Sequence, residues 1–557
     1  KSKMSCALPS LFNHQSSGVS TFNPRYLGDK LDEIMLKYEV TRQELKDAYQ
    51  YVNAHRSVIS AHLISGNNSL FLNSLDNAIK SLDATFWLHL IDDTKLRNYM
   101  DTGSYNNWKD SLTDAKKTPE FNRENAEAQL QAYIGDIESI FTHRINTIFT
   151  KLSPEHVTNS PAGFRNRMIF SQCGSSVEDF KTSGYVHDLR CVISLLRGEN
   201  EMPTVRSTEV ILYRVFDNTG KWLLADGGSL RIKAFKKGTV HIEIDWTIAD
   251  QLNAVLANLH PNCLPQARKI KPLFKSTLAP VDTLISHEVR ARFSQVRISH
   301  PFIDNSEYVT GKRAFTPKRI RDKSTYVATL SFNKFDTNHL DEAKFILSTV
   351  FGSEPTLDSF TNELEWKLGD FNPYDALDHL ICVGTYPEVV SHQLYESTDY
   401  ICSLVSDVIN VDANEDVCEP SVGRGKLAKL LPKDQTKCFD INALNCAVVA
   451  GLGYSVERRD FLEYANETLD RFDWIIMNPP YLNQLYWTHL KAAMSLLKSG
   501  GKVVAVVPQS VKGKESELPS DITMTINYEV KEQFEGTGVL NIAVITLEKS
   551  NVIKGEF

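Results

Sequence analysis

Cysteine is scarce and scattered. Nine residues (Cys6, Cys173, Cys191, Cys263, Cys382, Cys402, Cys418, Cys438 and Cys446) are spread over 557 positions with no Cys-x-x-Cys pair, which argues against a disulfide framework and a zinc module and leaves reduced, mostly buried thiols as the expectation. Long apolar runs are lacking too. The run Val503-Val504-Ala505-Val506-Val507 falls far below the ~18 residues that cross a bilayer, and no N-terminal stretch has a secretory core. No membrane contact and a cytoplasmic location are therefore expected. Gly (27) and Pro (21) are too few for collagen or low-complexity chains. His241, His287 and His300 lack ligand spacing, so no metal is expected. The chain starts at Lys1, which reads as a tag remnant before Met4 or a processed terminus.

What is present is an ordinary globular composition, 42% hydrophobic and 23% charged, long enough for two to four domains. The net charge of −8 hides a basic segment. Residues 268–323 hold thirteen Lys/Arg and five Asp/Glu, so they carry +8 and the remainder −16. Lys312, Arg313, Lys318, Arg319, Arg321 and Lys323 are its densest part and the candidate nucleic-acid contacts. Three- and four-residue apolar steps over 27–59 and 122–152 predict a mostly helical region at 1–200. Alternation at 230–235 and 240–244 around Lys237-Gly238 predicts a β-hairpin opening a mixed α+β basic region at 201–335. A helical linker is expected at 336–385, with a helix at 340–351. Phe360, Leu364 and Leu368 are spaced for a helix, so Glu365-Trp366-Lys367 with Asp358 is not read as a nuclease.

From residue 386 to 557 strands alternate with helices. Strands are expected at 416–419, 437–440, 454–457, 473–477, 502–507 and 541–547, with helices at 443–450 and 486–497. This is an α/β pattern, a Rossmann-like doubly wound sheet whose ligand lies at the carboxyl ends of its strands. The first strand runs into Glu419-Pro420-Ser421-Val422-Gly423-Arg424-Gly425. An acid at the tip repels a pyrophosphate and attracts an ammonium or sulfonium, so Glu419, Pro420, Gly423 and Gly425 favour S-adenosylmethionine over a dinucleotide. Asp440 ends the second strand, where a carboxylate can accept both ribose hydroxyls or simply cap a helix. Asp460 and Phe461 offer an acid and a ring to an adenine. After the fourth strand comes Asn478-Pro479-Pro480-Tyr481. Two prolines remove donors and stiffen the turn. The Asn478 amide oxygen and the Pro479 carbonyl can then accept both hydrogens of a planar amine, while Tyr481 stacks on the ring that bears it. Tyr486 and Trp487 fit either the first turn of a core helix or a wedge holding a strand open.

These motifs, in this order over residues 393–549, resemble the class I S-adenosylmethionine-dependent methyltransferases that modify adenine N6 in DNA, with the motif order of their γ subgroup. The resemblance implies S-adenosylmethionine as cofactor, a flipped adenine in DNA as substrate, and a role in restriction-modification or anti-restriction on a phage or other mobile element. Tyr395-Glu396-Ser397-Thr398-Asp399-Tyr400 looks like the family's cofactor-flanking segment, which places Thr398 at the methionine moiety. Val507-Pro508-Gln509-Ser510 and residues 534–543 look like its later motifs. Arg424 and Lys426 depart from it, standing where small or polar residues are usual. Target recognition is expected upstream or on a protein partner, since eight residues follow Lys549. The hairpin at 235–241 resembles a poorly characterised domain of phage- and plasmid-encoded proteins. Alternatives are a protein glutamine methyltransferase, an RNA amino-methyltransferase, and a silent anti-restriction or binding module.

Overall fold

The computed structural model describes residues 24–62, 74–113, 118–174, 182–199, 201–257, 259, 282–305, 318–332, 339–358, 361–387, 396–534 and 538–551. They belong to two compact units, Lys1–Leu223 with Ser229–Lys269, and Leu224–Gly228 with Ile270–Phe557. Among the described residues no helix is long and apolar enough to cross a membrane.

In the first unit, the helix Pro24–Ala54 presents Leu31, Ile34, Met35 and Tyr38 to Phe86, Trp87 and Leu90 of the helix Leu75–Asp93. The hydroxyl of Tyr38 donates to Asp83 Oδ1 at 2.5 Å, so the buried acid is satisfied. The helices Ile137–Thr150 and Thr182–Leu196 share a fully buried ion pair, Arg144 Nη2 to Asp188 Oδ1 at 2.9 Å. Asp188 also accepts from the amide and hydroxyl of Thr102, and Arg144 donates to the Asn98 carbonyl. The strands Arg167–Phe170, Val240–Ile244 and Leu230–Ala234 pair antiparallel in this same unit. The boundary expected at residue 200 therefore falls inside one unit, because the hairpin finds its third strand among the preceding helices.

The second unit carries a seven-stranded sheet, made by β1 (Val417–Glu419), β2 (Thr436–Asp440), β3 (Ser455–Arg458), β4 (Phe472–Met477), β5 (Leu497–Pro508), β6 (Ile522–Gln533) and β7 (Val539–Lys549). Their order is β3-β2-β1-β4-β5-β7-β6. The first five are parallel; β7 runs antiparallel to β5, and β6 pairs antiparallel with β7 and so returns to the direction of the first five. Helix α1 (Asp399–Ser406) covers one face with Ile401, Leu404 and Val405. Beside β2 lies α2 (Ala443–Gly451), and α3 (Phe461–Glu467) and α4 (Leu485–Ser495) cover the other face with Phe461, Tyr486, Trp487 and Leu490. Strands covered on both sides must be apolar throughout: Ile475, Ile476 and Met477 of β4, and all five residues from Val503 to Val507 of β5, are fully buried.

One expectation fails. Residues 336–385 are not a helical linker, because the strand Glu363–Gly369 pairs with Tyr326–Ser331 and buries Leu364, Trp366 and Leu368. A four-residue apolar step serves a strand as well as a helix, and Trp366 at the intermediate position decides for the strand. The helix Leu340–Phe351 lies where expected and packs on it, with Trp366 Nε1 donating to Ser348 Oγ at 3.1 Å. Strand β6 was unforeseen: it alternates exposed Thr, Glu and Lys with half-buried residues, as an edge strand does.

Removing one partner of a buried ion pair strands the other charge. Asp188→Ala is expected to cost about 3–5 kcal/mol, and the double change Arg144→Met with Asp188→Leu much less. Urea unfolding followed by tryptophan fluorescence checks this; equal losses would refute it.

Candidate functional site

The sheet reverses its order between β1 and β4, and such a switch point opens a crevice beyond the carboxyl ends of the two strands. Glu419 ends β1 there. It is 1% exposed, and among the described residues neither carboxylate oxygen accepts a hydrogen bond. Burial pushes its carboxyl well above the ordinary value; the nearby Ser421 amide, short of hydrogen-bond geometry, opposes this, and the Asp440 carboxylate adds to it. The hydroxyl of Ser421 is likewise buried without a partner. Unsatisfied polar atoms at a strand tip are costly and point to a ligand that completes them.

After Pro420 the chain turns back at Gly423 and Gly425, both left-handed at φ 52° and 83°. The left-handed backbone favours glycine at Gly425, where a Cβ would also crowd the end of the Leu452 side chain at 2.9 Å. Asp440 ties the loop to the helix. Its Oδ2 accepts from the Gly423 amide at 2.9 Å and its Oδ1 from the Asn442 amide at 2.7 Å. Asn442 is the residue that caps α2.

Beyond β4, Asn478 Nδ2 donates to Ser397 Oγ at 3.1 Å, and the Tyr481 hydroxyl donates to Asn478 Oδ1 at 2.7 Å and to the Val506 carbonyl at 3.3 Å. Pro479 is buried and Pro480 half-buried. The Tyr481 ring meets Phe534 edge-on at 6.3 Å. Asn483 and Gln484, both non-glycine, take left-handed φ of 54° and 59°, a costly conformation often found at functional turns. Tyr486 and Trp487 are 3% and 4% exposed in the core of α4.

Thr398 caps α1 through the Ile401 amide, and Asp460 caps α3 through the Leu462 amide. Phe461 is 2% exposed. Its ring lies against Phe439 and Tyr464 and nearly parallel to His489, centroids 6.0 Å apart. Burial pushes His489 down to about 4, and its Nδ1 has no partner among the described residues. The two cations of the glycine loop face the flanking segment, Arg424 to Glu396 at 3.8 Å and Lys426 to Asp399 at 2.9 Å. Ser397, Ser421 and His489 escaped the sequence reading. Only Ser397 carried a signal, its place beside Thr398.

Of the basic segment, Lys312 and Arg313 lie outside the described residues. Lys318, Arg319 and Arg321 belong to the strand Lys318–Arg321, paired with Phe302–Asn305. The exposed Arg321 guanidinium lies 5.2 Å over the Phe302 ring, and Lys323 is exposed. Two cations counted in the patch serve the fold instead: Arg290 is buried on Asp226 at 3.0 Å, and Arg297 pairs with Glu363. Among the described residues no three His, Cys, Asp or Glu gather to hold a metal.

The family model described as a domain of unknown function (DUF4942) matches residues 79–262. No curated protein matches the chain. Solved structures similar to it include an rRNA methylase from Streptococcus thermophilus, at 15% identity over 27% of this chain and 93% of that one, TM-score 0.21. TrmN from Thermus thermophilus shows 18% identity over 39% and 68%, TM-score 0.23. A Vibrio vulnificus protein assigned as a modification subunit of a type I restriction enzyme shows 14% over 28% and 45%, TM-score 0.24.

The raised Glu419 carboxyl gives a pH signature. Above the ordinary value of 4.5 the unfolded chain releases this proton while the folded protein keeps it, so this group's contribution to stability falls as pH rises toward the folded value. Glu419→Gln removes the dependence. Its stability advantage over wild type should therefore widen in urea titrations as pH rises above the ordinary carboxyl value of 4.5, and a constant difference would refute the assignment.

Proposed function

We propose that this chain transfers a methyl group from S-adenosylmethionine to the exocyclic N6 amino group of adenine in DNA. The observation that carries the reading is the meeting, at one switch point, of a buried carboxyl lacking a partner at the tip of β1 and Asn478-Pro479-Pro480-Tyr481 at the tip of β4. The residues present fit the cofactor. An orphaned Glu419 gains a counter-charge from an ammonium, the left-handed Gly423 and Gly425 leave backbone open to close approach, and Asp440 places a carboxylate, the acceptor type that ribose hydroxyls need, at the tip of β2 against the glycine loop. Pro420, Thr398, Asp460 and Phe461 complete the proposed cofactor set. Phe461 contributes there as the floor on which the site rests, since its ring is buried.

S-adenosylmethionine, when bound, supplies an electrophilic methyl group. The chain's own part is to hold the amine. Asn478 Oδ1 and the Pro479 carbonyl accept the two amino hydrogens, which leaves the nitrogen lone pair unencumbered, and Pro480 keeps the turn rigid. Asn478 is already held in place by Ser397 and Tyr481, so little reorganisation is needed as charge develops on the nitrogen. The Tyr481 ring stacks on the flipped base and offsets part of its unstacking cost. The amine becomes acidic once alkylated, so its proton can leave to water and no strong base is required.

Asn478→Ala should lower methyl transfer roughly 10²–10³-fold, the scale of losing one preorganised polar contact to the developing charge, with cofactor affinity nearly unchanged. Asp440→Ala should do the reverse and weaken cofactor binding first. Tritium transfer from labelled S-adenosylmethionine to duplex DNA, single-stranded DNA, RNA and protein acceptors checks both. Label in RNA or in a glutamine side chain, and none in DNA, would overturn the substrate.

A further inference from the structure

The antiparallel sheet of the first unit has one face in the core and one turned outward. Met168, Phe170, Leu230, Ile232, Ala234, Val240 and Ile242 are buried on the inner side. The register sets two rows on the other: Arg167, Glu243 and Arg231 side by side, then Ile169, itself buried, with His241 and Lys233. Trp222 lies among them. The Arg231 and Arg167 guanidinium carbons are 4.8 and 5.3 Å from its ring centroid, and Lys233 Nζ is 5.8 Å away. Lys233 also approaches the Phe235 ring at 5.3 Å, and Phe235 lies 4.7 Å from the His241 ring. Lys236 and Lys237 are exposed on the connecting turn.

Five cations thus share this surface with one acid. Glu243 is held between two of them, accepting from Arg167 Nε at 2.6 Å and Arg231 Nε at 2.5 Å. His241 is kept neutral by burial and then by Arg167, His156 and Lys233, so the field on this face is positive. A merely solvated basic face has no need of half-buried Trp222, Phe235 and His241 between its charges. Rings interleaved with cations on one sheet face match a ligand that alternates aromatic planes with phosphates.

We infer that this face binds single-stranded nucleic acid, with bases stacking on Trp222 and Phe235 and phosphates meeting Arg167, Arg231, Lys233, Lys236 and Lys237. Unpaired bases are required, because a duplex hides the faces that a ring could cover. The inference deepens the reading of a nucleic-acid substrate, yet rests on observations of the first unit alone.

Fluorescence anisotropy of the full chain with a short labelled oligonucleotide, without S-adenosylmethionine, tests it. The combined change Lys233→Glu, Lys236→Glu and Lys237→Glu should weaken single-strand binding at least about tenfold and reduce the slope of log K against log salt by about 2, at ~0.7 per phosphate contact. Trp222→Ala should weaken it about tenfold with the slope unchanged, and Trp222→Phe should recover most of the loss. Circular dichroism melts confirm that each variant folds. Unchanged affinity in these folded variants, or a duplex bound as tightly as the single strand, would overturn the inference. Binding without methyl transfer by the wild-type chain would instead overturn the proposed reaction and leave this face standing.

Discussion

The parallel pairing of β1 with β4 is the constraint on which the candidate site depends. Only two residue pairs make it, Val417 with Trp474 and Cys418 with Ile475, yet it brings together strand tips more than fifty residues apart in sequence. Its far end is pinned by Lys498, which reaches both Asp416 and Asp473, and by the Asp416 amide on the Asp473 carboxylate. Such exposed ion pairs contribute little energy by themselves. The driving force is burial of β4 and β5 on both faces, and the polar pins select the register in which that burial occurs.

Polar atoms in this protein are treated in two ways. The buried ion pairs that serve the fold are satisfied. Arg290 donates to Asp226 and to the Ile381 and Cys382 carbonyls, and Gly384 is needed beside it because a Cβ there would stand 2.4 Å from its Nε. Arg144 and Asp188 follow the same rule. Around the switch point it is broken: Glu419, Ser421 and the Nδ1 of His489 are buried without partners among the described residues. Other such atoms, at Arg42, Ser229 and Ser353, lie in other parts of the chain, but four gather here, both Glu419 oxygens among them, as expected of a site built to take a ligand.

Much of the second unit was legible because its signals are local. Apolar runs bounded by Gly, Asp and Asn announce buried parallel strands without reference to distant residues, and the helices of α2 and α4 follow from short-range periodicity. The glycine turn, Asp440 and the Asn-Pro-Pro-Tyr sequence could be read as chemistry because each needs specific residue types at fixed spacing. Edge strand β6 could not be read this way, since its alternating polar residues reflect an exposed position that only the neighbouring β7 creates. The strand at Glu363–Gly369 was misread because a four-residue step belongs to both periods, and its burial is decided by a helix and strands outside the segment.

The sequence alone determined which residue types stand at the strand ends of the candidate site and the order in which the sheet receives them. The tertiary structure decided how they are used. It turned Phe461 into the core, made Asp460 and Thr398 helix caps, set Arg424 and Lys426 against Glu396 and Asp399, and joined Asn478 to Ser397 across 81 positions. It also withdrew Arg290 and Arg297 from the basic patch. The reason is physical: residue type and spacing fix what a side chain can donate, accept or bury, while its partner is set by packing between segments that no local pattern encodes.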